Sequence, residues 1–169
     1  EEEYFTAIEF DGLLFTINNE ENTAKVVKNK SKKENVVIPH SISYESQQYV
    51  VIGISKSAFE ESFLINSVSF HPDSEVRFIE EEAFFDSSIE YISFPSSLEE
   101  LKPGWCDRTP GLNKISVDSK NPLFTTYKDK YLLKKSSSEK SNFDILVFSV
   151  RDIKTAIIPS FIEVIGSHA

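Results

Sequence analysis

Short alternating segments recur along the chain. VVIP at 36–39, VSFH at 68–71, ISFP at 92–95, ISVD at 115–118 and AIIP at 156–159 each set apolar residues two apart. Their starts lie 32, 24, 23 and 41 residues apart. The middle two intervals match the roughly 20–29 residues that one strand and one turn occupy in a coiled repeat. A second landmark follows most of these segments: an aliphatic residue, then a small residue four positions on and an aromatic at five. It reads Ile54 with Ala58-Phe59, and Ile79 with Ala83-Phe84. Leu101 is followed instead by Trp105-Cys106, and Ile165 by Ala169.

The two-residue period predicts strands with Val36, Ile38, Val68, Phe70, Ile92, Phe94, Ile115 and Val117 pointing inward. The following turn then plants an aromatic in the core. One such unit cannot cover its own apolar face, so neighbours must stack on it. The strands are too far apart for hairpins, which predicts a parallel ladder of five, about 19 Å from first to last. The irregular intervals read as insertions. YESQQY (44–49) lengthens a turn, and 119–150 holds a hairpin whose runs, Lys130–Leu133 and Ile145–Val150, flank the polar stretch KKSSSEKSN. IEFDGLLFTI (8–17), the turn NNEENT (18–23) and AKVVKNK (24–30) predict another hairpin, capping the first repeat. The whole reads as one domain over 1–169, a β-rich α/β solenoid. Residues 1–35 form the hairpin cap, and 36–169 the repeats with the hairpin insertion at 119–150.

The set IP–x–SI, then I–x3–AF, and the island VDSKNPLFTTYKDKYLLKK followed by IIPSFIEVIGSHA resemble BspA-like leucine-rich repeats. The opening FDGLLFTINNEENTAKVV followed by VVIP is similar to that family's N-terminal unit. The chain departs from the pattern at Trp105-Cys106, where Ala-Phe is expected, and at Glu80 and Lys102, where glycine is usual. The resemblance implies a leucine-rich-repeat solenoid of a secreted or cell-surface protein that adheres to host or matrix proteins, or to other cells. An intracellular protein-interaction scaffold with the same fold is the alternative.

Charge narrows the partners. A net charge of −9 argues against nucleic acid, whose phosphates demand clustered cations. Residues 1–100 carry 7 basic and 20 acidic side chains, whereas residues 101–169 carry 11 basic and 7 acidic. No apolar run approaches the roughly 18 residues of a spanning helix, so membrane insertion by this segment is not expected. The acidic start lacks the positive region of a signal peptide. The absence of an initiating Met reads as processing or excision. One glycosylation sequon, Asn29-Lys30-Ser31, is present.

Candidate chemistry is sparse, and no enzymatic activity, cofactor or metal is expected. His40, His71 and His168 lack metal-ligand spacing, and Cys106 takes the slot of a core aromatic, which favours a buried inert thiol. Glu80-Glu81-Glu82 and Glu99-Glu100 read as solvated turns, and Trp105 as core. A binding row is the better candidate. Ser69, Ser93 and Ser116 should stack outward between the buried strand residues, with Val37 and Ile157 at the ends. Two positions earlier stand Asn35, Ser67, Tyr91, Lys114 and Thr155. Side chains on a rigid ladder are held at fixed spacing, so a partner is met without ordering a loop. Ser67, Ser69, Tyr91, Ser93, Lys114, Ser116 and Thr155 are thus the candidate contacts for a protein or glycan of a cell surface or matrix. The hairpin should be mobile, and its lysines 120, 128, 130, 134, 135 and 140 offer weak, salt-sensitive contact with acidic polysaccharide. The register of Ile165 and Ala169 leads to the expectation that the natural protein continues with an aromatic. An uncovered last coil would invite weak end-to-end self-association.

Overall fold

The computed structural model of the chain describes residues 7–169, so the first six residues of the expected cap lie outside it. Every regular element is a strand. Three antiparallel strands open the chain, β1 (Ala7–Phe10), β2 (Leu13–Asn18) and β3 (Thr23–Asn29). Next come β4 (Asn35–Ile38) and a hairpin of β5 (Ser41–Tyr44) with β6 (Gln47–Ile54). The coils then alternate long and short strands: β7 (Ser67–Phe70), β8 (Phe78–Ile79), β9 (Tyr91–Phe94), β10 (Glu100–Leu101) and β11 (Lys114–Val117). Strands β12 (Phe124–Tyr127), β13 (Tyr131–Lys134), β14 (Ile145–Ser149) and β15 (Val164–Ile165) complete the chain.

Two parallel ladders flank one core. The long strands stack as β4, β7, β9 and β11, with Asn35 opposite Ser67, Ser67 opposite Tyr91, and Tyr91 opposite Lys114. On the other side β3, β6, β8 and β10 are also parallel, with Ile54 beside Ile79 and Ile79 beside Leu101. The aromatic landmarks lie between the ladders. Phe59 and Phe84 are fully buried and stack at 4.9 Å, 16° from parallel. Their backbones are tied to the next coil, Phe59 N to Ala83 O at 2.7 Å and Phe84 N to Trp105 O at 2.8 Å. That register puts Trp105 in the alanine slot and Cys106 in the phenylalanine slot. The third coil has therefore exchanged small-large for large-small while keeping its backbone bonds. The indole fills the same space from the other position, edge-on to Phe84 at 6.0 Å and to Phe94 at 5.5 Å.

Four expectations need correction. The α component of the expected fold is missing, since among the described residues no helix occurs. The turns after Ile54, Ile79 and Leu101 carry left-handed residues at Ser57 and Glu61, Glu82 and Asp86, and Gly104 and Arg108, which break a helix every few residues. YESQQY does more than lengthen a turn: Glu45 and Ser46, both at positive φ, close the β5–β6 hairpin. The ladder has four strands rather than five, because residues 156–159 form no strand. Thr155 and Ile157 therefore stand outside it. The backbone N–H of Ile157 instead donates to the Tyr131 hydroxyl at 2.9 Å.

The fourth correction concerns 119–150, where the expected hairpin is present as β13 and β14 but β12 adds a third antiparallel strand, and the resulting meander repeats the chain's opening. In both, residues at positive φ (Asp11 and Gly12; Lys128 and Asp129) link the first two strands. In both, the second and third strands pair with one extra residue, Val27 in the first and Val147 in the second. In both, the third strand then pairs in parallel with a later one, Val26 beside Ile54 and Leu146 beside Ile165. Single bonds correspond too. Lys30 N donates to Gly12 O at 2.8 Å and Val150 N to Lys130 O at 2.9 Å. Ser55 N donates to Val26 O and Gly166 N to Leu146 O, both at 2.8 Å.

The second meander differs in having two apolar faces. The bulge at Val147 places Phe148 opposite Leu132 and Leu146 opposite Leu133, so residues two apart face opposite ways. Leu132, Phe148, Val150 and Phe124 join the main core. Tyr131, Leu133 and Leu146 form a separate small core with Ile153 and Ile162 against it. In the opening meander the position matching Phe148 is Lys28, which is exposed. The change from lysine to phenylalanine lets the second copy close the coil that precedes it.

Candidate functional site

The four parallel strands present a regular outward surface. Alternation puts Val36, Ile38, Val68, Ile92, Phe94 and Ile115 inside and leaves Asn35, Val37, Ser67, Ser69, Tyr91, Ser93, Lys114 and Ser116 outside. Tyr91, opposite Lys114 in the ladder, organises the middle of this surface. Its hydroxyl lies 2.8 Å from Ser116 Oγ, and the Lys114 ammonium stands 5.0 Å from its ring centroid. The Ser116 hydrogen bond holds the Tyr91 phenol below its ordinary value; Ser93 and Lys114 act in the same direction against burial. Ser67 Oγ donates to Asn35 Oδ1 at 2.6 Å, joining the first two strands across the same row. Six of the seven candidate contacts therefore share one face, and Thr155 does not.

Sequence reasoning passed over the C-terminal edge of this face. Where the strands end, His71, Pro72, Ser93, Pro95, Ser116 and Asp118 line a notch of about 170 Å³. Asp73 N–H donates to His71 Nδ1 at 3.1 Å, while His40 Nδ1 lies 2.8 Å from Asp73 O. The alternation extends one step further to 71, 95 and 118, a signal present in the segments VSFH, ISFP and ISVD. Asn121 was also passed over. Its Nδ2 donates to Pro95 O and Leu98 O, both at 3.0 Å, and its Oδ1 accepts from Leu123 N and Phe124 N. This buried amide fixes the second meander to the third coil.

The remaining candidate groups are committed to structure. Burial pushes the Cys106 thiol up to about 12, so it stays protonated at neutral pH. His168 Nδ1 lies 2.9 Å from Asp107 Oδ2. Among the described residues, no group of three or more His, Cys, Asp or Glu side chains is placed to hold a metal ion. Asn29 of the sequon donates from Nδ2 to Ser62 Oγ at 3.1 Å, which ties its side chain to the neighbouring turn. The lysines of the second meander are dispersed in role: Lys128, Lys134 and Lys135 lie over aromatic rings, and Lys140 pairs with Asp144 and Glu163. Asp144 also accepts from Ser136 N and Oγ, so the polar stretch expected to be loose is pinned to β14.

A leucine-rich repeat region of the BspA type matches the chain in six copies, over residues 16–139 and 52–169. The chain belongs to the BspA-type leucine-rich-repeat family. Solved structures of leucine-rich-repeat proteins resemble it at low identity. A leucine-rich cell surface protein of Faecalibacterium prausnitzii is 14% identical over 93% of this chain and 65% of its own, with a TM-score of 0.42. A leucine-rich repeat protein of Bacteroides capillosus is 20% identical over 67% of this chain and 99% of its own, with a TM-score of 0.46. The pneumococcal vaccine antigen PcpA is 14% identical over 96% of this chain and 61% of its own, with a TM-score of 0.35. The BspA-type chain thus spans less than two thirds of the first and third of these structures. No protein of curated function matches it in sequence. No helix among the described residues is long and apolar enough to cross a membrane.

Proposed function

We propose that this BspA-type segment is a non-enzymatic binding module of a cell-surface or secreted protein, and that the outward face of its four-stranded ladder is the contact surface for another protein. The observation that carries this reading is the fixed arrangement of Tyr91, Lys114 and Ser116 amid Ser67, Ser69 and Ser93. A half-exposed aromatic held by a hydroxyl and topped by a cation is the composition of an interface anchor. Its hydrogen bond and neighbours restrict its rotamers before a partner arrives, so less entropy is lost on binding. The surface location draws support from the family and from the printed description of the Faecalibacterium relative.

Two measurements test the reading. Labelling of intact cells with a membrane-impermeant reagent should mark the protein, and labelling only after lysis would overturn the location. The purified chain should bind a panel of immobilised matrix and host-surface proteins, and Tyr91→Ala and Lys114→Glu should each weaken that binding about tenfold or more. Equal binding by wild type and both variants would remove the ladder face from the mechanism.

A further inference from the structure

A second recess lies where the third coil meets the second meander, away from the ladder face. Its walls are apolar: Leu101 and Trp105 from the coil, Phe124, Ile145 and Val147 from the meander. Its volume is about 150 Å³, the size of cavity that accepts a benzene ring. The polar groups at its rim are unequal. Lys102 is committed to Glu100, with Nζ 2.8 Å from the carboxylate. Asp107, on the coil side, is committed to His168. Lys134, on the meander side, stands 5.3 Å from the Phe124 ring centroid and pairs with no carboxylate among the described residues. All of its lining residues come from 101–169, a segment with 11 basic and 7 acidic side chains.

We propose that this recess binds a small carboxylate whose apolar body is about the size of one phenyl ring. The body would lie against Trp105, Phe124 and Val147, and the carboxylate would accept from the Lys134 ammonium. An apolar pocket with one convergent charged group is the ordinary form of a small-molecule site. A neutral ligand of the same shape gains the apolar contact alone. A cationic one meets Lys134 with the wrong sign.

Trp105 is the chain's only tryptophan and reports directly on the recess. Phenylacetate, phenylacetamide and phenethylamine are titrated into the 169-residue chain while its emission is followed. Phenylacetate should change the emission saturably, and the other two should bind about three- to tenfold more weakly or not at all. Lys134→Gln, at a half-buried lysine, should weaken phenylacetate by a similar factor. Val147→Phe, which fills the recess, should abolish the response while leaving the circular dichroism spectrum unchanged. Equal binding of the acid, amide and amine, or an unchanged affinity in Lys134→Gln, would overturn the carboxylate assignment. No saturable response up to about 10 mM phenylacetate, a limit set by weak small-ligand affinities, would overturn the site itself.

Discussion

The rings of Trp105 and Phe148 lie 5.8 Å apart, and through them the third coil touches a meander with which it shares no strand pairing. The join between the two units is made mostly by side chains, with a backbone bond from Arg151 N to Leu112 O at 3.1 Å beside them, and not by a continuous ladder. Phe148→Ala should therefore destabilise the first unit by about 3–5 kcal/mol, as read by denaturant unfolding followed through Trp105. Leu133→Ala, on the meander's other face, should leave the Trp105 transition nearly unmoved.

The stacked pair Phe59 and Phe84 carries the same load between earlier coils. Truncating a fully buried phenylalanine removes its burial and leaves a hole that rigid ladders cannot close. Phe84→Ala should cost about 3–5 kcal/mol. A midpoint shift within error would contradict the assignment of Phe84 as an inter-coil plug.

Gly53 is required by space. A Cβ built there would stand 2.2 Å from two carbons of the Phe78 ring, so Gly53→Ala must push that ring off the sheet. Overpacking of this kind costs about 1–3 kcal/mol. Phe78→Ala in the same chain should abolish the penalty of Gly53→Ala, and a double-mutant cycle showing independent effects would refute the contact.

Asn121→Ala leaves two carbonyls and two N–H groups at the junction without their partner. The expected loss is about 2–3 kcal/mol, larger than for Asn66→Ala, whose side chain makes no such bonds. Thermal unfolding of the two variants side by side provides the comparison.

Asp144 gives the fold an acid limit. Hydrogen bonds from Lys140 first, and from Ser136, hold its carboxyl well below the usual range. A depressed folded-state value means the stabilisation is fully present above the unfolded carboxylate value of about 3.9 and is lost as the pH falls below it. Asp144→Asn should lower stability at pH 7 and flatten its decline between about pH 4 and pH 2. An unaltered pH profile in that variant would exclude this role.

The ladder strands were legible because each buries alternate residues and the next coil repeats the pattern, as Val68-x-Phe70 and Ile92-x-Phe94 do. The same pattern in AIIP did not make a strand, since pairing needs a neighbour at the right height and the second meander stands between this segment and β11. The meander itself was read as an insertion. Its likeness to the opening is carried by geometry more than by letters: Lys128-Asp129 does the work of Asp11-Gly12, and Phe148 stands where Lys28 does. Six of the seven row positions were legible from the two-residue period alone, and Thr155 was not, because residues 156–159 form no strand. The Asn121 bracket was not, because it depends on carbonyls that only the folded chain brings within reach.

The division into three separate sheets has a consequence for how such a chain can vary. In an uninterrupted ladder, gaining or losing one residue in a coil turns the following strands inside out unless a turn absorbs the change. Here the pairing stops at β10 and β11 and begins afresh at β12. A shift of frame upstream is erased at Asn121, so coils before the third can gain or lose residues without changing the register of β12 to β15.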